Sequence, residues 1–367
     1  MKIRNFSQNS QKRLNMKLIT IIGARPQFIK AAAVSREIAK HENINEIIVH
    51  TGQHFDANMS EIFFEQMQIP KPDYNLEINS LSHGAMTGRM IEKIEEVLLK
   101  EEPDWVLVYG DTNSTIAGSL AAKKLHIKVA HVEAGLRSFN RKMPEEINRI
   151  LTDKISDLLL CPTDLALKNL NDEGIGKQSQ AKVVKCGDVM QDAAIFYTEL
   201  AQKPEIELPE EFILATIHRA ENTDDPDRLK SIMKALNKIN QEIPIILPIH
   251  PRTRKILEES NLRIDFILID PVGYLEMIYL LKNCKMVMTD SGGLQKEAFF
   301  FHKPCVTLRD ETEWIELVEN GFNKVVGSHY DKIITGFNSM KDQQLSYNID
   351  FYGNGKAAKR IVMELLD

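Results

Sequence analysis

Short apolar runs that end in a polar cluster recur along almost the whole chain, and few folds accept such a pattern. From Lys17 the order is KLITIIG, then a turn GARPQF, then IKAAAVSREIAKH with apolar residues at helical spacing. NEIIVHTG, WVLVYGD, KVAHVEAG and LLLCPTD repeat the strand, with GRMIEKIEEVLLKEE and NSTIAGSLAAKKL as helices between them. A strand that is apolar throughout must be covered on both faces, and strands alternating with helices build a parallel sheet. After CGDVMQDAAIF the rhythm restarts with EFILATIH, PIILPIH, DFILID, KMVMTD and PCVTLRD. The expected class is therefore α/β, with two Rossmann-like doubly wound domains and a cleft between them. Residues 17–186 form the first domain and 187–354 the second, residues 1–16 are a flexible extension, and the last helix, 355–367, packs back on the first domain.

A length of 367 residues suits two domains of common size. The longest apolar pieces, WVLVYG and IPIILPI, are too short to cross a bilayer. A net charge of -6 gives no field that would gather nucleic acid or anionic lipid. Cys161, Cys186, Cys284 and Cys305 show no paired spacing and read as reduced core thiols. Residues 1–16 lack the apolar centre of a secretory signal, so the expected location is cytoplasmic.

Loops at the carboxyl ends of parallel strands are where such sheets bind ligands. The strand ends read GARP, HTGQH, YGDT and HVEAG in the first half, and IHRAEN, IHPR, TDSGG and LRDETE in the second. In GARPQFIK, Gly23 permits close backbone approach, Pro26 keeps Arg25 extended, and Arg25 and Lys30 are cations near a helix start. The turn is not GxGxxG, so no dinucleotide cofactor is indicated. In MTDSGGLQKEA, Ser291, Gly292 and Gly293 bring main-chain donors to phosphate, and Glu297, one turn on, accepts from ribose hydroxyls. His218 with Arg219, and His250 with Arg252, suit a cationic clamp on a diphosphate. Asp111, Glu133, Glu145 and Glu146 suit proton transfer once grouped, although Asp111 alone could be a helix cap. No EF-type loop or HxxxE pair appears, and Arg25, Lys30 and Arg137 can neutralise phosphate, so no metal is expected.

GARPQFIK, HTGQH, YGDTNST, HVEAGLRS, PEEINR, GDVMQDA, IHR, DSGGLQKEA and GNGKAAKRI occur in this order from about Lys17 to the C-terminus. Together they closely resemble the signature segments of the bacterial non-hydrolysing UDP-N-acetylglucosamine 2-epimerase family, which has the GT-B architecture. The resemblance implies anti elimination of UDP to a 2-acetamidoglucal and re-addition from the other face. It implies that Asp111, Glu133 and Glu145 are the acid and base groups and that His218 stabilises the departing diphosphate. Arg25, Lys30, Ser291, Gly292, Gly293 and Glu297 would hold UDP, with Arg137 and His250 as further cationic contacts. It also implies no redox cofactor, a homodimer, and a role in precursor synthesis for cell-surface polysaccharide.

Two positions depart from the family's commonest pattern: Gln27 stands where glutamate is usual, and Trp314 where arginine is usual. In some members a second UDP-N-acetylglucosamine acts as an activator near HTGQH, which Phe55 and Asp56 follow here. UDP-N-acetylglucosamine is the first expected substrate. A modified UDP-sugar such as UDP-2,3-diacetamido-2,3-dideoxyglucuronic acid is the alternative. A hydrolysing epimerase would let water intercept the glycal. A GT-B glycosyltransferase would need only one base, which the density of first-half carboxylates argues against, and a nucleotide-sugar sensor would bind UDP without turnover.

Overall fold

The computed structural model describes residues 15–53, 64, 65, 67–176, 180–260 and 262–367. Most of the N-terminal extension, and His54, Phe55 and Asp56 beside the expected activator site, lie outside the described residues. Among the described residues the strands are β1 Met16–Ile22, β2 Ile44–His50, β3 Tyr74–Asn75, β4 Trp105–Tyr109, β5 Lys128–Val132, β6 Leu158–Cys161, β7 Lys182–Lys185, β8 Ile213–Thr216, β9 Ile245–Pro248, β10 Ile267–Ile269, β11 Met286–Thr289, β12 Cys305–Thr307 and β13 Asn323–Val325. The helices are α1 Arg25–Ile38, α2 His83–Glu101, α3 Asn113–Lys124, α4 Pro144–Ile155, α5 Asp164–Asp172, α6 Val189–Thr198, α7 Ala220–Thr223, α8 Pro226–Asn240, α9 Pro251–Ser260, α10 Tyr274–Asn283, α11 Gly292–Phe300, α12 Ile315–Glu319, α13 Tyr330–Met340 and α14 Ala357–Leu366.

The chain forms two compact units, one of residues 1–193 with 352–367 and one of residues 194–351. In the first, a parallel sheet runs β3-β2-β1-β4-β5-β6-β7. Ile19, Ile21, Val106 and Val108 on its strands pack with Met90 and Ile94 of α2 and with Ala117 and Ala121 of α3. In the second, a parallel sheet runs β10-β9-β8-β11-β12-β13. Its strands bury Ile213, Leu247, Met288 and Val306 against Ile232 and Leu236 of α8 and Phe337 of α13.

In each sheet the chain winds outward one way and then returns past its first strand, so the order reverses between β1 and β4 and between β8 and β11. A doubly wound sheet leaves a crevice outside the strand ends at that reversal, because the flanking connections depart to opposite faces. The turns facing it carry Arg25 and Asp111 in the first unit and His218 and Ser291 in the second.

β3, β7 and β13 are absent from the sequence expectation, and all three lie at sheet edges. An edge strand pairs on one side only and carries charges that discourage further pairing, so it lacks the apolar run that marks a central strand. Lys182 and Lys185 bracket β7, and Lys324 lies within β13.

The last helix, α14, belongs to the first unit and packs against α1. Ala357, Ala358, Ile361, Val362 and Leu365 are its buried residues. Its first N–H groups donate to the Asp192 carboxylate, at 3.1 Å from Ala357 and 2.9 Å from Ala358. All four cysteines are free and buried. No helix among the described residues is long and apolar enough to cross a membrane.

Candidate functional site

The turn after β1 is held by Gln27. Its Oε1 accepts from the backbone N–H groups of Gly23 at 2.8 Å and Ala24 at 3.0 Å. Its Nε2 donates to the Tyr109 carbonyl at 2.8 Å and to the hydroxyls of Thr112 and Thr115 at 3.0 and 3.1 Å. An amide can accept on one side and donate on the other, which a carboxylate cannot, so glutamine fits between these partners. Two expectations change here. The Gly23 and Ala24 donors are spent on Gln27 and do not point to a phosphate. Ala24 is the extended residue, whereas Arg25 already lies in the first turn of α1 with Pro26.

The turn after β5 carries Glu133, which is 7% exposed and has a φ of 69°. A side chain with a β-carbon rarely adopts that left-handed conformation, and such strain gathers where a group must be aimed. Its carboxylate forms an ion pair with Lys30 from α1. Gly110 closes against both. A β-carbon at its position would lie 3.2 Å from Glu133 Oε2 and 3.9 Å from Lys30 Nζ, and its φ is 62°. The structure thus brings Lys30, Glu133 and the Gly110–Asp111 turn together, and it makes Lys30 the counterion of Glu133.

Asp111 does not cap α3: that role falls to Thr112, whose side chain accepts from the Thr115 N–H. The Asp111 carboxylate instead pairs with Arg149 from α4, and its carbonyl accepts from Asn148 Nδ2 at 2.9 Å. Neither partner was singled out in the sequence, although PEEINR places Arg149 one helical turn after the glutamates. Those two glutamates differ. Glu146 is buried, accepting from the backbone N–H groups of Ser138 and Phe139 at 2.9 Å each, whereas Glu145 is exposed in the first turn of α4. The one carboxylate holds the loop and the other faces outward.

Arg137 is a correction. Its guanidinium is buried, pairing with Asp153 Oδ2 at 2.7 Å and bidentately with Glu173 at 2.6 and 2.8 Å. Four of its donors are spent within the first unit, on Asp153, Glu173 and the Leu136 carbonyl, so the expected phosphate contact is withdrawn.

In the second unit, Asp290 follows β11 and is fully buried. It accepts from the backbone N–H groups of His218 at 3.1 Å and Arg219 at 3.0 Å and from Asn222 Nδ2 at 3.2 Å, with His218 Nδ1 at 3.2 Å. Burial alone would raise this carboxyl, but the donors around it, His218 foremost, hold it below the usual carboxylate range. His218 is thereby anchored through its backbone while its side chain stays half exposed.

Ser291 caps α11, with Gly292 and Gly293 as its first helical residues. A β-carbon at Gly292 would displace the Glu313 carboxylate and lie 3.7 Å from Arg219 Nη2, so both side chains are near the helix start. Arg309 Nη1 donates to Glu313 at 3.0 Å. Glu297, one turn into α11, is buried and accepts from the Tyr274 hydroxyl at 3.2 Å. Trp314, at the position of the second departure, donates through Nε1 to the Gly292 carbonyl at 2.8 Å. His250 is exposed at the end of β9, where its Nδ1 accepts from the Arg252 N–H at 3.3 Å. Among the described residues no group of three His, Cys, Asp or Glu is placed to hold a metal ion.

Comparison with known proteins gives the family. The UDP-N-acetylglucosamine 2-epimerase family model matches residues 36–366. A UDP-2,3-diacetamido-2,3-dideoxy-D-glucuronate 2-epimerase of Pseudomonas aeruginosa is 59% identical over 348 residues, covering 94% of this chain and 98% of its own. A UDP-N-acetylglucosamine 2-epimerase of Methanocaldococcus jannaschii is 46% identical over 363 residues, covering 95% of this chain and 98% of its own. The crystal structure of the M. jannaschii enzyme in complex with UDP-GlcNAc and UDP aligns with a TM-score of 0.83, over 96% of this chain and 99% of that one. That of Neisseria meningitidis UDP-GlcNAc 2-epimerase bound to UDP-GlcNAc also reaches 0.83, at 34% identity, over 96% of this chain and all of that one. The two parallel α/β sheets match these GT-B structures, as the resemblance implied. With its segments in family order and its carboxylates and helix start at the strand ends, the chain is an epimerase and belongs to the UDP-N-acetylglucosamine 2-epimerase family.

Proposed function

We propose that the chain is a non-hydrolysing C2 epimerase of a UDP-2-acetamido sugar. The observation that carries this reading is the Lys30–Glu133 pair closed against Gly110, beside Asp111. C2 of such a sugar is not adjacent to a carbonyl, so its proton cannot leave by simple enolisation. Anti elimination of UDP removes the C2 proton as the C1–O bond breaks, and UDP adds back after a proton returns to the other face. The path is redox neutral and asks for a base on one face, an acid on the other, and groups that keep UDP bound. Glu133, Asp111 and Glu145 are the candidates for proton transfer. His218 stabilises the departing diphosphate, and Arg25, Ser291, Gly292, Gly293, Glu297 and His250 hold UDP. Lys30 is the counterion that faces the Glu133 carboxylate.

For the sugar we favour UDP-2,3-diacetamido-2,3-dideoxyglucuronate, because the relative bearing that activity is 59% identical while the M. jannaschii UDP-N-acetylglucosamine 2-epimerase is 46% identical. UDP-N-acetylglucosamine is the second reading. Proton NMR in D₂O with each sugar tests both. Deuterium at C2 and a manno anomeric signal on the uronate, with slower or no exchange on UDP-N-acetylglucosamine, is the expected result. The reverse preference assigns the second sugar. Release of free sugar and UDP would identify a hydrolysing enzyme, and exchange on neither would overturn the epimerase reading of this site.

A further inference from the structure

His131 lies on β5, two residues before Glu133, and is wholly buried. Its Nδ1 stands 2.7 Å from Asp153 Oδ1 and its Nε2 stands 2.7 Å from the Gly110 carbonyl oxygen. A carbonyl can only accept. Asp153 is paired through its other oxygen with the permanently charged Arg137 at 2.7 Å and takes the Gly135 N–H there at 3.1 Å, which favours the carboxylate form that accepts at both oxygens. Both ring nitrogens therefore face acceptors, and both must carry hydrogen to be satisfied. The chain His131–Asp153–Arg137–Glu173 then alternates donors and acceptors from the buried ring outward to Glu173.

The Gly110 carbonyl belongs to the peptide that leads into Asp111. Helix α4 reaches this turn by three routes. Asn148 donates to the Asp111 carbonyl, Arg149 pairs with the Asp111 carboxylate, and Asp153 acts on the Gly110 carbonyl through His131. The N–H of Gly110 in turn donates to the Val132 carbonyl at 3.0 Å, one residue before Glu133.

We propose that His131 is a positioning residue for epimerisation: donating from both ring nitrogens, it links Asp153 to the Gly110 carbonyl and sets the placement of Asp111 relative to Glu133. This rests on the reading of Asp111 and Glu133 as proton-transfer groups. Proton transfer depends steeply on placement, and a displacement of about 1 Å can cost on the order of 10²-fold in rate.

The test uses the full chain and two amide variants. The side-chain nitrogen of glutamine takes the place of Nε2, and that of asparagine the place of Nδ1. H131N therefore keeps the bond to Asp153 and drops the one to Gly110, whereas H131Q does the reverse. We expect H131N to lower turnover about tenfold or more, with KM and UDP affinity within about threefold, and H131Q to recover most of the loss. H131N turning over within about twofold of the parent chain overturns the proposal. So does an H131Q as slow as H131N, or a loss of turnover matched by a loss of UDP affinity, which marks general damage to the fold. Where a variant does not fold, ¹⁵N-histidine NMR of the unmutated protein decides: two exchange-protected ring N–H groups on the buried histidine support the proposal, and one bare nitrogen overturns it. An unmutated protein that exchanges no C2 proton overturns the acid–base reading and the positioning role together, whereas normal exchange with an unaffected H131N overturns the positioning role alone.

Discussion

Glu133 and Asp290 each occupy the first position after a central strand, one in each unit, and each is largely hidden from solvent. Their surroundings differ in kind. Asp290 is wrapped by the main-chain N–H groups of His218 and Arg219, the Asn222 amide and the His218 ring, all from the segment that follows the neighbouring strand β8. Glu133 sits in a left-handed backbone conformation and meets the flexible ammonium of Lys30. Main-chain donors fix a carboxylate as part of the scaffold. A carboxylate met by a side-chain cation can change partners, which the proposed proton-transfer role of Glu133 requires. Position at a strand end does not by itself set a carboxylate's surroundings: two main-chain N–H groups hold Asp290, and a lysine meets Glu133.

The contrast is open to attack by mutation. Glu133→Gln should lower C2 proton exchange by roughly 10²-fold or more while leaving UDP affinity within a few-fold. A protein that keeps its turnover would erase the distinction. Arg137→Met leaves Asp153 and Glu173 without their buried cation and should cost about 3–5 kcal/mol of stability in the first unit. Its effect should appear in calorimetry, with the UDP affinity of whatever remains folded unchanged; weaker UDP binding at full stability would restore Arg137 to the phosphate site. Asp290→Ala leaves the N–H groups of His218 and Arg219 without an acceptor and should destabilise the second unit by about 1–3 kcal/mol per buried donor, read as a lower melting temperature. No shift would show that Asp290 is not scaffold.

The smallest effect is a pH response. Burial pushes the His50 imidazole in the first unit down to about 4. An unfolded histidine takes up a proton near its ordinary value and the folded one does not, so the first unit loses stability as pH falls from about 6.5 to 4. Burial pushes Asp192 up to about 6, and that works in the opposite direction over the same window. The informative quantity is therefore the difference between His50→Gln and the unmutated chain, which should grow in favour of the variant as pH drops. Asp290, held below the usual range, contributes stability above the unfolded carboxyl value that is lost only as pH falls through its own lower value. Acid should weaken the second unit through Asp290 only after His50 has acted on the first. A variant with an unchanged pH profile would remove His50 from this account.

Central strands and their polar endings were legible because burial on both faces writes itself as an unbroken apolar run. Lys182–Lys185 and Asn323–Val325 were not, since an edge strand shows charge to solvent and borrows its order from one neighbour. The misreading of Arg137 has a similar origin. Its partners lie 16 and 36 residues away, and only the fold reveals that its charge is spent internally. Glu145 and Glu146 are chemically identical neighbours, and the helical turn alone decides that one grips the loop while the other faces out.

The return of residues 352–367 to the first unit has a consequence for how the protein is made. The second unit is a single continuous stretch, so all of its parts have left the ribosome before the first unit has received its final helix. Until α14 arrives, the face of α1 that it covers and the Asp192 carboxylate that caps it await their partner. During synthesis the half of the molecule that starts first is completed last, and a premature stop near residue 350 would leave a finished second unit joined to an unfinished first one.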